Sequence, residues 1–214
     1  EGASAALSEA LARMRSGSSD EMTVDLGIAD IGIAFVHSRF RIPNPGGPDK
    51  PDRTRFDMVW LMDRTYEGGI ALRPHTGAAG FGTLLLRDDI DKLIEEHWDP
   101  VKGSLDEDAI YGLFRAPEEF ALHDVFASTA PHGTQMADLL AGDDGSELSE
   151  DLSSNARIWA VDLPSAVIAN TSGYTMQNSL FWALVAIGIL SGLKPTRAEH
   201  LVINASLGFQ GGPL

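Results

Sequence analysis

Hydrophobic and polar positions change period several times along the chain, and each change marks an expected element. In "ASAALSEALARMR", residues 3–15, Leu7, Leu11 and Met14 recur at helical spacing and predict a helix, followed by the polar connector "SGSSDE". "MTVDLGIADIGIAFVH" is apolar and β-rich up to Asp30, with Gly32 just beyond, which predicts a strand ending at Asp30. From Ser38 the pattern dissolves into "SRFRIPNPGGPDKPDRTRF", whose Pro and Gly content predicts a long loop. "FDMVWLMD" predicts another strand, and "AAGFGTLLL" is a Gly-rich lead-in to "LRDDIDKLIEEHW", a helix with acidic residues near its start. Ser104 and Glu107 stand at capping-box spacing and predict a helix in "SLDEDAIYGLF".

The second half alternates more plainly. In "PHGTQMADLLAG" Met136, Leu139 and Leu140 fall on one helical face and Gly142 supplies the stop, so a helix is expected over 133–141 with His132 at its mouth. The acidic loop "GDDGSELSEDLSSNA" precedes a strand in "RIWAVDLP", a helix over 177–193, and a final strand in "EHLVINASLG". Strands alternating with helices predict an α/β fold, a parallel sheet with helices on both faces. Such sheets gather functional residues where strands end in loops. Asp30 and Ser206 follow apolar strand patterns and His132 opens a helix, so all three are expected along one sheet edge.

Composition narrows the possible chemistry. The 214 residues are 43% hydrophobic and 22% charged, ordinary for a domain with a substantial core. A net charge of −15 argues against nucleic acid as a partner, because phosphate neutralisation needs clustered Lys and Arg. With no cysteine, disulfides, thiolate metal sites and a Cys nucleophile are excluded. "SLFWALVAIGILSGL" falls short of the roughly 20 residues needed to span a bilayer. It is therefore expected as a buried core helix, and no membrane span is predicted. No signal peptide is visible, and a chain beginning at Glu1 is expected to be processed or cut from something longer.

An Asp, a neutral His and a Ser form the usual device for activating a hydroxyl, and their order along the chain differs between scaffolds. Here three stretches resemble the subtilisin-like serine proteases, the subtilases, in that family's order. "IADIGIAFVH" is similar to its aspartate motif, with Asp30, Gly32 and His37. "HGTQMADLLAG" resembles its histidine motif, and "LVINASLGFQGGP" its cleft-lining strand ending in Ser-Leu-Gly. The resemblance implies a serine endopeptidase hydrolysing peptide bonds through an Asp-His-Ser triad. Asp30 is then the orienting carboxylate and His132 the general base. Ser206, Leu207 and Gly208 line the cleft and pair with an extended polypeptide substrate, so Ser206 contacts substrate without attacking it. Residues 20–214 become the N-terminal part of the catalytic domain, after a helix and connector at 1–19. Residues 38–130 become a mostly helical insertion; the compartment stays open, export from a bacterial cell being only the family's habit.

The match departs from the family in several places. Ile31 stands where the family usually has Ser or Thr, and Gln135 replaces a basic or aromatic residue. The serine motif Gly-Thr-Ser-x-Ala-x-Pro is absent, as is the asparagine region of the oxyanion hole; "NTSGY" at 170–174 lacks the motif's Ala and Pro. This chain alone is therefore expected to be inactive, with the serine-bearing remainder of the domain as its partner. The alternative is an inactive, subtilase-derived binding module, or a fragment acting only with a partner chain. An α/β-hydrolase elbow in "NASLG" fails, since no His, Asp or Glu follows Ser206. Asp30, His37, His123 and His132 lack metal-site spacing, so no metal or other cofactor is expected. The acidic loop is at most a weak calcium candidate, because it lacks the EF-hand alternation. His75, His97 and His200 match nothing and are expected at the surface.

Overall fold

The computed structural model describes residues 24–47, 49–72, 82–115, 131–143, 156–169, 173–193 and 200–207. The expected helix at 3–15 lies outside them. Strand β1 is Val24–Asp30. A 3-10 turn at Ser38–Phe40 leads into the short strands β2 (Arg41–Ile42) and β3 (Arg53–Thr54), which pair antiparallel. There follow β4 (Phe56–Leu61), β5 (Ile70–Ala71), β6 (Thr83–Leu86) and helix α1 (Arg87–Glu96). The hairpin β7 (Trp98–Asp99) and β8 (Ser104–Leu105) precedes α2 (Glu107–Tyr111). The remaining elements are α3 (His132–Ala141), β9 (Arg157–Asp162), α4 (Ala166–Ala169), α5 (Tyr174–Ser191) and β10 (His200–Asn204).

The central sheet runs β10-β1-β9-β4-β6-β5. Its first four strands are mutually parallel, while β6 is antiparallel to both β4 and β5. The molecule is thus mixed α/β with a mostly parallel central sheet. Every residue of β4 and β9 is buried, as a strand covered on both faces requires. Alternate side chains divide the core in two. Leu26, Ile28, Val59, Leu61, Ile158 and Ala160 face one cluster, completed by Ile90 and Leu93 of α1 and Ala137 and Ala141 of α3. Ala29, Met58, Trp60, Trp159 and Val161 face the other, completed by Ala183, Ile187 and Leu190 of α5. Gly27 lets α5 close on β1. A Cβ there would lie 2.9 Å from both Ile187 Cγ2 and Ile203 Cγ1.

Several expectations need correcting. The stretch 38–130, expected as a mostly helical insertion, supplies β4, β5 and β6 and is built into the central sheet. Ser104 caps nothing, being held in β8. The cap of α2 is Asp106, whose side chain accepts the Ala109 N–H at 3.0 Å. Helix α5, expected to be buried throughout, covers Ala183, Ile187 and Leu190 but exposes Phe181, Leu184 and Ile189. Leu201 and Val202 of the neighbouring β10 are exposed as well. No described helix is long and apolar enough to cross a membrane.

At the amino end of the strands sits a buried ionic group. Asp25 of β1 and Arg157 of β9 are register partners, joined by Arg157 Nε to Asp25 Oδ1 at 2.7 Å. Asp57 of β4 lies 3.7 Å from Arg157 and accepts from Arg87 Nε at 2.7 Å.

Candidate active site

The opposite, carboxyl edge of the sheet carries the candidate chemistry. Asp30 ends β1, is wholly buried, and is the register neighbour of Asp162, which ends β9. Beyond Asp30 the chain turns sharply through Gly32, whose φ of 75° lies in the left-handed region that glycine tolerates best. This turn receives helix α3. The first turn of a helix leaves N–H groups without intrahelical partners. Here Gly133 N–H donates to the Ile31 carbonyl at 2.8 Å and Thr134 N–H to the Gly32 carbonyl at 2.9 Å. The Thr134 hydroxyl also donates to the Gly32 carbonyl and accepts the Ala34 N–H, both at 2.8 Å.

The Gly-Thr pair after His132 therefore has a structural reason. A Cβ on Gly133 would lie 2.8 Å from the Ile31 carbonyl oxygen and 2.9 Å from Ile33 Cγ1. Gly133→Ala is expected to push the mouth of α3 off the turn and cost about 1–3 kcal/mol, the usual penalty of overpacking. Urea unfolding checks the stability, and the NMR signal of the His132 Nδ1 proton checks the geometry.

With α3 so fixed, His132 Nδ1 lies 2.8 Å from Asp30 Oδ1, the same oxygen that accepts the Ile31 N–H at 2.7 Å. The His132 side chain is 55% exposed while the Asp30 side chain is fully covered. A carboxylate on Nδ1 holds the proton there and leaves the Nε2 lone pair free as a base. Asp30 Oδ2 is buried without a hydrogen-bond partner among the described residues. Position 31 offers no hydroxyl to it, since Ile31 packs into the apolar cluster under α5.

Ser206 lies two residues past β10. The β1–β10 register pairs Ile28 with Asn204, so two further residues bring each strand to Asp30 and Ser206. Ser206 is exposed, its hydroxyl donating to Asn204 Oδ1 at 2.6 Å, and no hydrogen bond joins it to His132 among the described residues. Leu207 is half-buried against the α5-side cluster, and Gly208 lies outside the described residues. His37 caps the 3-10 turn, accepting the Arg39 N–H at 3.3 Å. His97, expected at the surface, is half-buried with Nδ1 3.0 Å from the Leu93 oxygen, while His200 is exposed. His75, His123 and the acidic loop beyond Asp143 lie outside the described residues. Among the described residues no group of three or more His, Asp or Glu is placed to hold a metal ion.

Sequence reasoning passed over Asp162. It is buried and its Oδ1 accepts the Gly32 N–H at 2.6 Å. Burial, reinforced by the negative charge of Asp63, pushes its pKa up to about 8, against the opposing pull of Arg64 and the Gly32 and Ile33 N–H groups. The signal that singled out Asp30, an Asp closing an apolar strand, was present in "RIWAVD" too. No family model, curated protein or solved structure matches the chain. The geometry defines a histidine oriented by a buried carboxylate at the carboxyl edge of a parallel sheet.

Proposed function

We propose that this chain is the Asp- and His-bearing part of a subtilisin-like serine endopeptidase. The 2.8 Å contact between a buried Asp30 and a half-exposed His132 carries the proposal. In the reaction His132 Nε2 takes the proton of a serine hydroxyl as it attacks the scissile carbonyl, then gives it to the leaving amine. Asp30 keeps the imidazole in the required tautomer and stabilises the imidazolium. The serine and the oxyanion donors come from outside these 214 residues, whose sequence lacks both motifs. Ser206, Leu207 and Gly208 form a wall on which an extended peptide pairs by strand addition. In support, β10 is an edge strand of the described sheet and the Ser206 hydroxyl is engaged by Asn204.

A second possibility is an inactive binding module. The exposed apolar residues of α5 and β10 favour it, as does the unpartnered Asp30 Oδ2. Alkylation separates the two. A peptidyl chloromethyl ketone seated in a working cleft is attacked by the catalytic histidine, Nε2 displacing chloride. Peptide mapping of the protein from its native source is expected to find the adduct on His132 and on no other histidine. A protein that binds the peptide yet carries no adduct on His132 would be the binding module.

A further inference from the structure

We propose that Asp162 is a positioning residue for the Asp30–His132 pair, its buried carboxyl fastening the turn on which the mouth of α3 hangs; its catalytic meaning rests on the protease proposal above. The turn is held from two sides. Its carbonyls at Ile31 and Gly32 receive Gly133 and Thr134 of α3. Its N–H groups point the other way. Gly32 donates to Asp162 Oδ1 at 2.6 Å, and the Ile33 N–H is directed at the same carboxyl. Successive N–H groups beside a left-handed residue form a nest that favours an anion, and here a side chain of the same sheet fills it.

The main chain around Asp162 is equally pinned. Its carbonyl accepts the Met62 N–H at 3.0 Å, and the next residue, Leu163, donates to the Asp30 carbonyl at 2.7 Å. Asp162 therefore has little freedom to follow a displaced turn. Removing its carboxyl leaves buried N–H groups without an acceptor and releases the joint between β1 and α3.

The groups set around Asp162 make this joint sensitive to pH. Asp30 lies beside it on β1, Asp63 and Arg64 follow β4, and His132 faces Asp30 from α3. Burial and Asp63 hold the carboxyl neutral up to about pH 8. Once ionised it accepts the Gly32 and Ile33 N–H groups more strongly. The sign for folding is opposite. A carboxyl raised in the fold from 3.8 to about 8 contributes stability present in full below 3.8 and lost as pH rises through about 8.

The test follows the His132 Nδ1 proton by NMR in the ¹⁵N-labelled protein, and the melting temperature across pH 4–10. In the wild type the Nδ1 signal is expected to be present, and the melting temperature is expected to fall between about pH 4 and pH 8 and to level off above that. Asp162→Asn keeps an acceptor for Gly32 but cannot ionise. It is expected to retain the Nδ1 proton signal and to lose that fall in melting temperature. Asp162→Ala is expected to lose the Nδ1 signal. A folded Asp162→Ala that keeps the signal overturns the proposal. Should Asp162→Ala fail to fold, Asp162→Ser, whose shorter side chain withdraws the acceptor from Gly32, is read in the same way. None of these signals needs peptide hydrolysis, so failure of the protease proposal and failure of this one show up in separate measurements.

Discussion

Asp30→Asn is expected to lower kcat for peptide hydrolysis by about 10⁴-fold, with little change in KM, in the protein as isolated from its source. The substitution preserves shape, so the loss is chemical. A carboxylate offers His132 Nδ1 only acceptors, whereas an amide also offers an NH₂ group. The oxygen of the introduced amide is drawn to the Ile31 N–H, which already occupies Oδ1 of Asp30 at 2.7 Å. That same oxygen lies 2.8 Å from Nδ1, so the ring keeps its acceptor, but the neutral amide no longer stabilises the imidazolium that forms when His132 takes the serine proton. The Asp30 side chain is fully covered, so solvent is poorly placed to stabilise the imidazolium in its stead. His132→Ala is expected to cost at least as much. The double variant should be no worse than the more damaged single one, because the pair works as a unit. Steady-state kinetics on a chromogenic peptide, with circular dichroism confirming the fold, makes the comparison. Unchanged turnover in either single variant would remove both residues from the chemistry.

The largest expected effect on stability lies at the other end of the sheet. Arg157→Leu is expected to cost about 3–5 kcal/mol, the usual consequence of leaving a buried charge without its partner. Arg157 and Asp25 expose only 3% and 2% of their side chains, and their pairing coincides with the β1–β9 register. Burial already pushes the Asp25 carboxyl above its ordinary value, with Arg157 pulling it back. Without the guanidinium, Asp25 must take up a proton or draw in water. Combining Asp25→Leu with Arg157→Leu is expected to recover part of the loss, since two apolar side chains restore a neutral interior. Asp57, 3.7 Å from Arg157, keeps that recovery incomplete. Urea denaturation of the three variants checks the order. A loss below about 1 kcal/mol in Arg157→Leu, the range of exposed pairs, would mean that water reaches the group.

Much of this arrangement could be read in advance from where the period of hydrophobicity changes. Asp30 closes an apolar strand and His132 precedes a Gly-Thr helix start, and the fold brings those two positions into contact across 102 residues. Features that depend on distant partners were not legible. Strand β6, "TLLL", is too short for its alternation to distinguish it from the start of α1, so its place beside β4 appears only in the pairing. Ser104 carries a cap signature, yet pairing with β7 claims it and Asp106 caps α2 instead. Helix α5 is apolar nearly all round, so its pattern alone does not say that the stripe through Ala183, Ile187, Leu190 and Ser191 is the buried one. Asp162 was missed because its partner, Gly32, is 130 residues away and the bond uses a backbone N–H that no side-chain motif announces.

Fluorophosphonate labelling of the protein from its native source, read by intact mass and peptide mapping with His132→Ala alongside, tests the central claim most directly. One adduct is expected, on a serine outside these 214 residues, and it should be lost in His132→Ala. No adduct, or an adduct that forms equally well without His132, would contradict a protease in which this chain supplies the base.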